Sequence, residues 1–427
     1  MEVRPGYKQA EVGVIPKEWQ TDLMSSITLL PIQNGVFNEP ERKGRGCKLI
    51  NVINLYSYVP IETTDLERFD ATRDEINRFG VNHGDLFFTR SSLTPDGIAH
   101  CNVYRRIFDE EILFDCHIIR VRLDQKKVDP FFLVRYCASR PARRYLIANA
   151  KTTTMTTIDQ GVIAKMPIPL PAIHEQGAIA TALSDVDALT NGLERLIAKK
   201  RDLKQAAMQQ LLTGKTRLPG FHGEWEVKTL DEVCQKIQDG THFSPKLGGN
   251  DYFYVTSKNI RLGTLDMSTA ERISATEHAK IYARCDVKRG DLLLTKDGAN
   301  TGNAALNSLD EPFSLLSSVA ILRFDCRRYS PTFFMYQVLS KDGQEQIKEM
   351  MSGNAITRLT LVKIRKLRFA VASFQEQAAI AAVLTDMDAE LTTLEQRLAK
   401  TRALKQAMMQ ELLTGKIRLI PREASHA

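Results

Sequence analysis

Apolar side chains recur at steps of three and four along one stretch of the chain: Ile179, Ala182, Val186, Leu189, Leu193, Leu196, Leu203 and Ala207, with Lys200 filling the one gap. A second run, Ile380, Val383, Met387, Leu394, Leu404 and Met408, keeps the same register. This is the period of one helix face. It predicts two helices of about forty residues, each roughly 60 Å long at about 1.5 Å per residue. Rods of that length carry too little apolar surface to fold alone, so the two are expected to pair as an antiparallel coiled coil.

The two runs are copies. Residues 174 to 218, "HEQGAIATALSDVDALTNGLERLIAKKRDLKQAAMQQLLTGKTRL", align without gaps on 375 to 419, and 27 of the 45 positions are identical. An internal repeat of this strength sets the architecture. Each copy closes on "LLTGK.RL", whose Gly-Lys-Thr also ends a phosphate-binding loop. That loop needs a glycine where Gln209 stands, and the second copy replaces the hydroxyl with Ile417, which cannot hold a metal. Gly214 and Gly415 are better read as left-handed residues ending a helix, with Lys204 and Lys215 favoured near its C-terminal dipole.

The intervening segments repeat more loosely. Glu18-Trp19 matches Glu224-Trp225, and "GDLFFTR" from Gly84 matches "GDLLLTK" from Gly290. Each is followed by a strand-like stretch, "HIIRVRL" or "SVAILRF", and then by a polar residue and proline, Asp129-Pro130 or Ser330-Pro331, a helix start. The phenylalanine pairs after the prolines, Phe131-Phe132 and Phe333-Phe334, belong to the core in this reading. Each half then passes through a hydroxyl-rich loop, "NAKTTTMTT" or "SGNAITRLT". The expected fold is α+β: two globular mixed α/β domains, at 1–170 and 219–371, alternating with long helices at 171–218 and 372–427.

Composition narrows the class. A chain of 427 residues, 43% hydrophobic and 26% charged, reads as globular. It shows no signal-like start and no run near the roughly 18 apolar residues of a membrane span, so a cytoplasmic protein is expected. Seven scattered cysteines without a C-x-x-C pair suggest neither zinc nor disulfides. The formal charge of +7 suits a polyanionic partner.

The paired "EQ.AIA..L.D.D" to "LLTGK.RL" blocks, each preceded by "KMPIPLP" or "RKLRFAV", resemble the conserved regions of the specificity subunit of type I restriction-modification enzymes. "GDLLLTKDGANTG" and "DGTHFSPK" resemble elements of that family's target recognition domains. The resemblance covers nearly the whole chain. It implies a subunit without a catalytic site that reads a split double-stranded DNA sequence, one domain per half, with the helices as spacer. It also implies two methylation and two restriction subunits as partners, which use S-adenosylmethionine, ATP and Mg²⁺; no cofactor or metal is expected in this chain. The first half departs from the pattern, with "NGVFNEPERKG" and "TRSSLTPDG" where the second has "DGTHFSPK" and "TKDGANTG".

Polar and basic residues in loops after strands are the candidate base and phosphate contacts. In the second domain these are Thr241, His242, Ser244, Lys246, Lys258, Asn259, Lys296, Asn300, Asn354 and Arg358; in the first, Arg42, Lys43, Arg45, Lys48, Arg90, Ser91, Lys151, Thr152 and Thr153. Ile197, Leu211 and Leu412 are expected to stay exposed on the helices as subunit contacts. Enzyme readings are weaker. Pro95-Asp96 with Asp124-Gln125-Lys126 fits a loose nuclease pattern, but the lysine falls in a predicted turn and the second half has no counterpart. "DPFF" lacks the second proline of an adenine methyltransferase loop. The non-enzymatic alternative is a coiled-coil tether joining two binding modules, which the identity of neighbouring genes would distinguish.

Overall fold

The computed structural model of the chain describes residues 4–107, 109–351 and 358–419. The chain divides into two compact units, residues 1–193 with 397–427 and residues 194–396. Both are built on one plan.

In the first unit a four-stranded sheet runs in the order Gln33–Asn34, Ile118–Val121, Leu86–Thr89, Cys101–Val103. The second unit repeats it as Cys234–Asp239, Val319–Phe324, Leu292–Thr295, Ala304–Leu306. A three-stranded sheet follows in each, with Lys43–Ile50 between Ile112–Phe114 and Glu67–Phe69, and Leu247–Val255 between Ser314–Leu315 and Glu271–Ile273. The central strand is parallel to one neighbour and antiparallel to the other in both copies.

The repeated Gly-Asp-Leu motif explains itself here. Gly84 and Gly290 take φ of 83° and 87°, a turn conformation that suits glycine. The aspartates that follow are buried, and each meets an arginine at the end of the neighbouring strand in a two-pronged pair: Asp85 with Arg122 at 2.8 and 2.7 Å, Asp291 with Arg323 at 2.8 and 2.8 Å. A buried carboxylate is tolerated because both oxygens are satisfied.

The proline-started helices are Pro130–Cys137 and Pro331–Leu339, capped by the side chains of Asp129 and Ser330. Phe132, Phe333 and Phe334 are buried in the main cores, with Phe131 packed against the first. The long helices are Ile173–Leu211 and Phe374–Leu412, 39 residues each. Within the first unit Asp187 meets Lys405 at 2.5 Å and Arg135 at 2.6 Å. Within the second, Lys200 meets Glu390 at 2.7 Å, Arg201 meets Glu395 at 2.6 Å, and Lys204 pairs with Asp388. Higher numbers on one helix face lower numbers on the other, the antiparallel sense.

The buried face follows the predicted stripe only in part: Ile179, Leu193 and Ile380 are buried as the spacing predicts, but other members are not. Leu183, Asp187, Thr190, Leu193 and Ile197 are buried, whereas Leu189, Leu196, Leu203, Val383 and Leu404 are exposed. At 183, 187, 190 and 197 the seam lies one residue beyond the stripe and takes in polar groups with partners: Asp187 has its two cations, and Thr190 donates to the Val186 carbonyl at 2.8 Å. The expectation that Ile197, Leu211 and Leu412 are exposed is also corrected, because apolar packing covers them. Leu211 and Leu412 complete the main cores of the second and first units, and Ile197 is 4% exposed.

The helix ends carry the repeated motif's purpose. Gly214 and Gly415 have φ of 70° and 67° and turn the chain so that an arginine three residues on points back. In the first unit Arg418 grips buried Glu175 through two bonds of 2.6 and 2.8 Å, and Trp19 donates its indole N–H to the same carboxylate at 3.2 Å. In the second, Arg217 holds Glu376 at 2.6 and 2.6 Å, with Trp225 at 3.1 Å. The adjacent glutamines accept from the backbone N–H of the residues that cap the proline-started helices, Gln176 from Asp129 at 2.8 Å and Gln377 from Ser330 at 2.9 Å. The "EQ" pair therefore joins each head to its helical segment.

Candidate nucleic-acid interface

At one end of each head's sheets the strands Gln33–Asn34, Lys43–Ile50 and Ile112–Phe114, or Cys234–Asp239, Leu247–Val255 and Ser314–Leu315, run out into adjacent loops. These loops are tied together by main-chain bonds: Val36 N–H to the Phe114 carbonyl at 2.9 Å and Asp115 N–H to that of Ile50 at 3.0 Å, mirrored by Thr241 to Leu315 at 2.8 Å and Leu316 to Val255 at 3.0 Å. Gly35 and Gly240 permit this, since a Cβ on either would lie 1.8 Å from the Phe114 oxygen or 2.0 Å from that of Leu315. The site is one backbone shelf, built twice, whose tips differ between the two heads.

In the second head, His242, Lys296 and Arg358 converge through two aspartates, with Thr241 next to His242 in the chain. His242 Nε2 lies 3.2 Å and Lys296 Nζ 3.5 Å from Asp239, while Lys296 and Arg358 meet Asp297 at 2.9 and 3.3 Å. Lys258 and Asn259 lie in the loop after Leu247–Val255, and Asn300, from the loop after Leu292–Thr295, reaches it through a bond of 3.4 Å from its amide to the Ser257 carbonyl. Three of these residues serve the fold. Thr241 and Lys296 are buried, and Asn259 closes its own turn, accepting from Thr256 N–H at 2.9 Å and donating to the Asp266 carbonyl at 3.1 Å. His242, Ser244, Lys246, Lys258 and Arg358 are exposed. His242 and Phe243 border a depression of about 290 Å³ that Lys280 and Arg284 also line. Asn354 lies outside the described residues.

In the first head Arg90, Ser91, Lys151, Thr152 and Thr153 come together in a small sheet of the order Lys151–Thr152, Thr156–Thr157, Ser91–Ser92. The four basic residues of the segment 42–48 do not join them. Arg42 donates to Glu75 and to the Asp70 carbonyl and lies over the Phe69 ring, 4.4 Å from its centre. Its hydrogen bond to Glu75 outweighs burial and pulls that carboxyl down to about 2. Lys43 pairs with Glu67 at 3.2 Å and Lys48 with Glu110 at 2.5 Å. Arg45 meets Asp70 at 2.8 Å yet keeps its side chain 74% exposed. In the sequence alone these four read as free cations, because their acidic partners stand far along the chain and meet them only on folding.

Other exposed residues occupy the loop tips, and the sequence reading does not single them out. They are Phe37, Ile53 and Tyr56 in the first head and Phe243 and Arg261 in the second. The signal that finds them is internal: Asn54 and Asn259 make the same turn, each accepting from the backbone N–H three residues earlier, of Asn51 at 2.7 Å and Thr256 at 2.9 Å. That fixes the register of both loops.

Asp115, Cys116 and His117 bring three metal-capable atoms within 4.8 Å of one another. Hydrogen bonds account for the grouping, since one Asp115 oxygen takes both the His117 backbone N–H at 2.7 Å and its Nδ1 at 2.8 Å. Among the described residues, no helix is long and apolar enough to cross a membrane.

Comparison with known proteins agrees with this plan. The type I restriction modification DNA specificity domain matches residues 65–204 and 222–402. The chain is 22% identical over 426 residues to the putative type I restriction enzyme MjaX specificity subunit of Methanocaldococcus jannaschii, covering 97% of each. It is 24% identical over 313 residues to the MjaVIII specificity subunit of the same organism, covering 70% of this chain and 73% of that one. Its fold is that of the type I restriction-modification S subunit from M. genitalium, with a TM-score of 0.59 and 17% identity over 96% of this chain and 98% of the other. With the specificity-domain match over both halves and the same two-headed plan, the chain belongs to the type I restriction-modification specificity subunits and carries two target recognition domains.

Proposed function

We propose that this chain selects DNA for a type I restriction-modification complex by reading a bipartite target, one head on each half, while its helices carry the partner subunits. The observation that carries the reading is the doubled shelf: the same backbone support, built twice in one chain, presents different loop tips. A single head offers roughly 1–3 kcal/mol of discrimination per good base contact, which is modest against a genome of competing sites. Two heads in one chain make the second contact intramolecular.

The chain itself contributes no catalytic step in this reading. S-adenosylmethionine, ATP and Mg²⁺ belong to two methylation and two restriction subunits, and the DNA is the duplex they act on. The exposed leucines of the helices, Leu196 and Leu203 in the second unit and Leu189 and Leu404 in the first, are the surfaces offered to the methylation subunits, in place of Ile197, Leu211 and Leu412. Weighing a mixture of purified subunits tests this, and a lone specificity chain persisting in the mixture would count against it.

The main test is exchange of residues 20–165 for the corresponding segment of another family member, followed by mapping of methylated adenines in cells that also express the methylase. The expected result is a split motif in which one half changes and the other stays. A change in both halves, or an unsplit motif, would overturn the assignment of one head to one half-site.

A further inference from the structure

The two heads hold their loop tips on equivalent backbone but arm three matched positions with different chemistry. After Gly35 and Gly240, the bonds from Val36 to Phe114 and from Thr241 to Leu315 fix Phe37 as the counterpart of His242. The Asn54 and Asn259 turns align Ile53 with Lys258 and Tyr56 with Arg261. The alignment is locked one residue after each asparagine, where the Leu55 carbonyl accepts from His100 Nε2 at 3.0 Å and the Ile260 carbonyl from Asn303 at 3.1 Å. So where the second head presents His242, Lys258 and Arg261, the first presents Phe37, Ile53 and Tyr56; Phe243 and Leu262, beside the second head's basic residues, are exposed as well.

These apolar tips are strongly exposed: Phe37 is 72% accessible and Ile53 is 74%. Tyr56 is held in place, its ring stacked on His100 with centroids 4.5 Å apart. Exposed aromatic and β-branched side chains on rigid loops are unfavourable in water and call for a ligand with apolar groups. Copies of one head are expected to face one kind of ligand, and the second head's tips suit a polyanion. In a duplex the apolar feature open to such tips is the thymine methyl in the major groove, whereas Lys and Arg match the guanine O6 and N7 acceptors. Glu62 and Asp65 rim the depression beside Ile53 and Tyr56. Carboxylates there repel phosphate oxygens, which leaves base edges as the surface this loop meets.

We propose that the first head reads thymine methyl groups through Phe37 and Ile53, and that the second reads guanine edges through Lys258 and Arg261. This rests on the reading of the heads as DNA-binding, and the test separates the two. The full chain, assembled with its methylation subunits, is titrated by fluorescence anisotropy with duplexes of the mapped target. Thymine is replaced by uracil in the half-site assigned to the first head, and guanine by 7-deazaguanine in the other. Uracil should weaken binding about fourfold for each methyl group that Phe37 or Ile53 covers, at about 0.8 kcal/mol per buried methyl. The Phe37→Ala/Ile53→Ala variant should bind thymine and uracil duplexes equally, with an unchanged melting temperature because both side chains are exposed. Lys258→Ala/Arg261→Ala should lose sensitivity to 7-deazaguanine and keep the thymine–uracil difference. The inference is overturned by a first half-site without thymine, by equal binding of thymine and uracil in the native complex, or by a Phe37/Ile53 variant that keeps the native ratio. A complex that binds no duplex overturns the DNA reading itself, and the inference with it.

Discussion

Glu175 illustrates what single residues do here. Its carboxylate is buried, and Arg418 satisfies both oxygens while Trp19 adds a third bond. Removing one partner of such a pair leaves a charge without compensation, which costs about 3 kcal/mol. Arg418→Ala should therefore lower the denaturation midpoint strongly. Adding Glu175→Gln should recover part of the loss, because the orphaned charge goes with it; chemical denaturation of the three proteins checks this, and equal destabilisation in single and double variants would contradict it. Glu75 behaves differently, lying nearer the surface. Its hydrogen bond to Arg42 holds it down to about 2 in the fold, against about 4.3 in an unfolded chain. The depressed value means that its stabilisation is complete above about pH 4.3 and disappears as pH falls through about 2. With solvent screening it amounts to about 1 kcal/mol. Arg42→Ala should remove it at neutral pH, leaving a variant whose acid-induced loss of stability is shallower than the native protein's between about pH 4 and 2.

The helix ends show where element-scale structure follows from the sequence. Both glycines of the repeated motif sit near φ of 70°, so alanine at either costs about 1 kcal/mol in backbone conformation. The surroundings then distinguish them. A Cβ on Gly415 would lie 2.5 Å from Pro16 and 3.0 Å from the Trp19 ring, whereas one on Gly214 would lie 3.3 Å from Trp225. Gly415→Ala should thus be the more destabilising of the two, by about 1–2 kcal/mol of overpacking; comparable melting temperatures for the pair would refute the difference. The glycine stops, the proline starts and the antiparallel pairing were legible because each is local or repeated. The buried seam was legible only in part, at Ile179, Leu193 and Ile380. Counting apolar residues favours Leu189, Leu196 and Leu203, and nothing in a linear pattern reveals that Asp187 is buried because Arg135 and Lys405 meet it. The loop tips were likewise hidden by unequal insertions, since Ile53 and Lys258 stand 205 positions apart but Phe114 and Leu315 only 201. The hydrogen bonds at Asn54 and Asn259, and at the carbonyls that follow them, align the two.

At the scale of the whole molecule, charge has to be counted after folding. The chain has 58 lysines and arginines and a formal charge of +7. Many of its cations are engaged internally: Arg42 with Glu75, Lys43 with Glu67, Arg122 with Asp85, Arg323 with Asp291, Arg418 with Glu175. Phosphate neutralisation then falls to other outward-facing residues, such as Arg45, Arg90 and Lys246, and about six phosphates for the two heads is the expected count. Each neutralised phosphate releases counterions and adds about −0.9 to the slope of log K against log salt. The expected slope is about −5, or roughly a thousandfold loss of affinity between about 50 and 200 mM salt. The variants separate the two kinds of cation. Arg45→Ala and Arg90→Ala should each make the slope shallower by about one and weaken all sequences alike, while Arg42→Ala should leave it unchanged and lower stability instead. A flat salt response of the native protein would remove the electrostatic basis for DNA binding. A shallower slope for Arg42→Ala would return that residue to the interface and place the acidic partner Glu75 in competition with the DNA backbone.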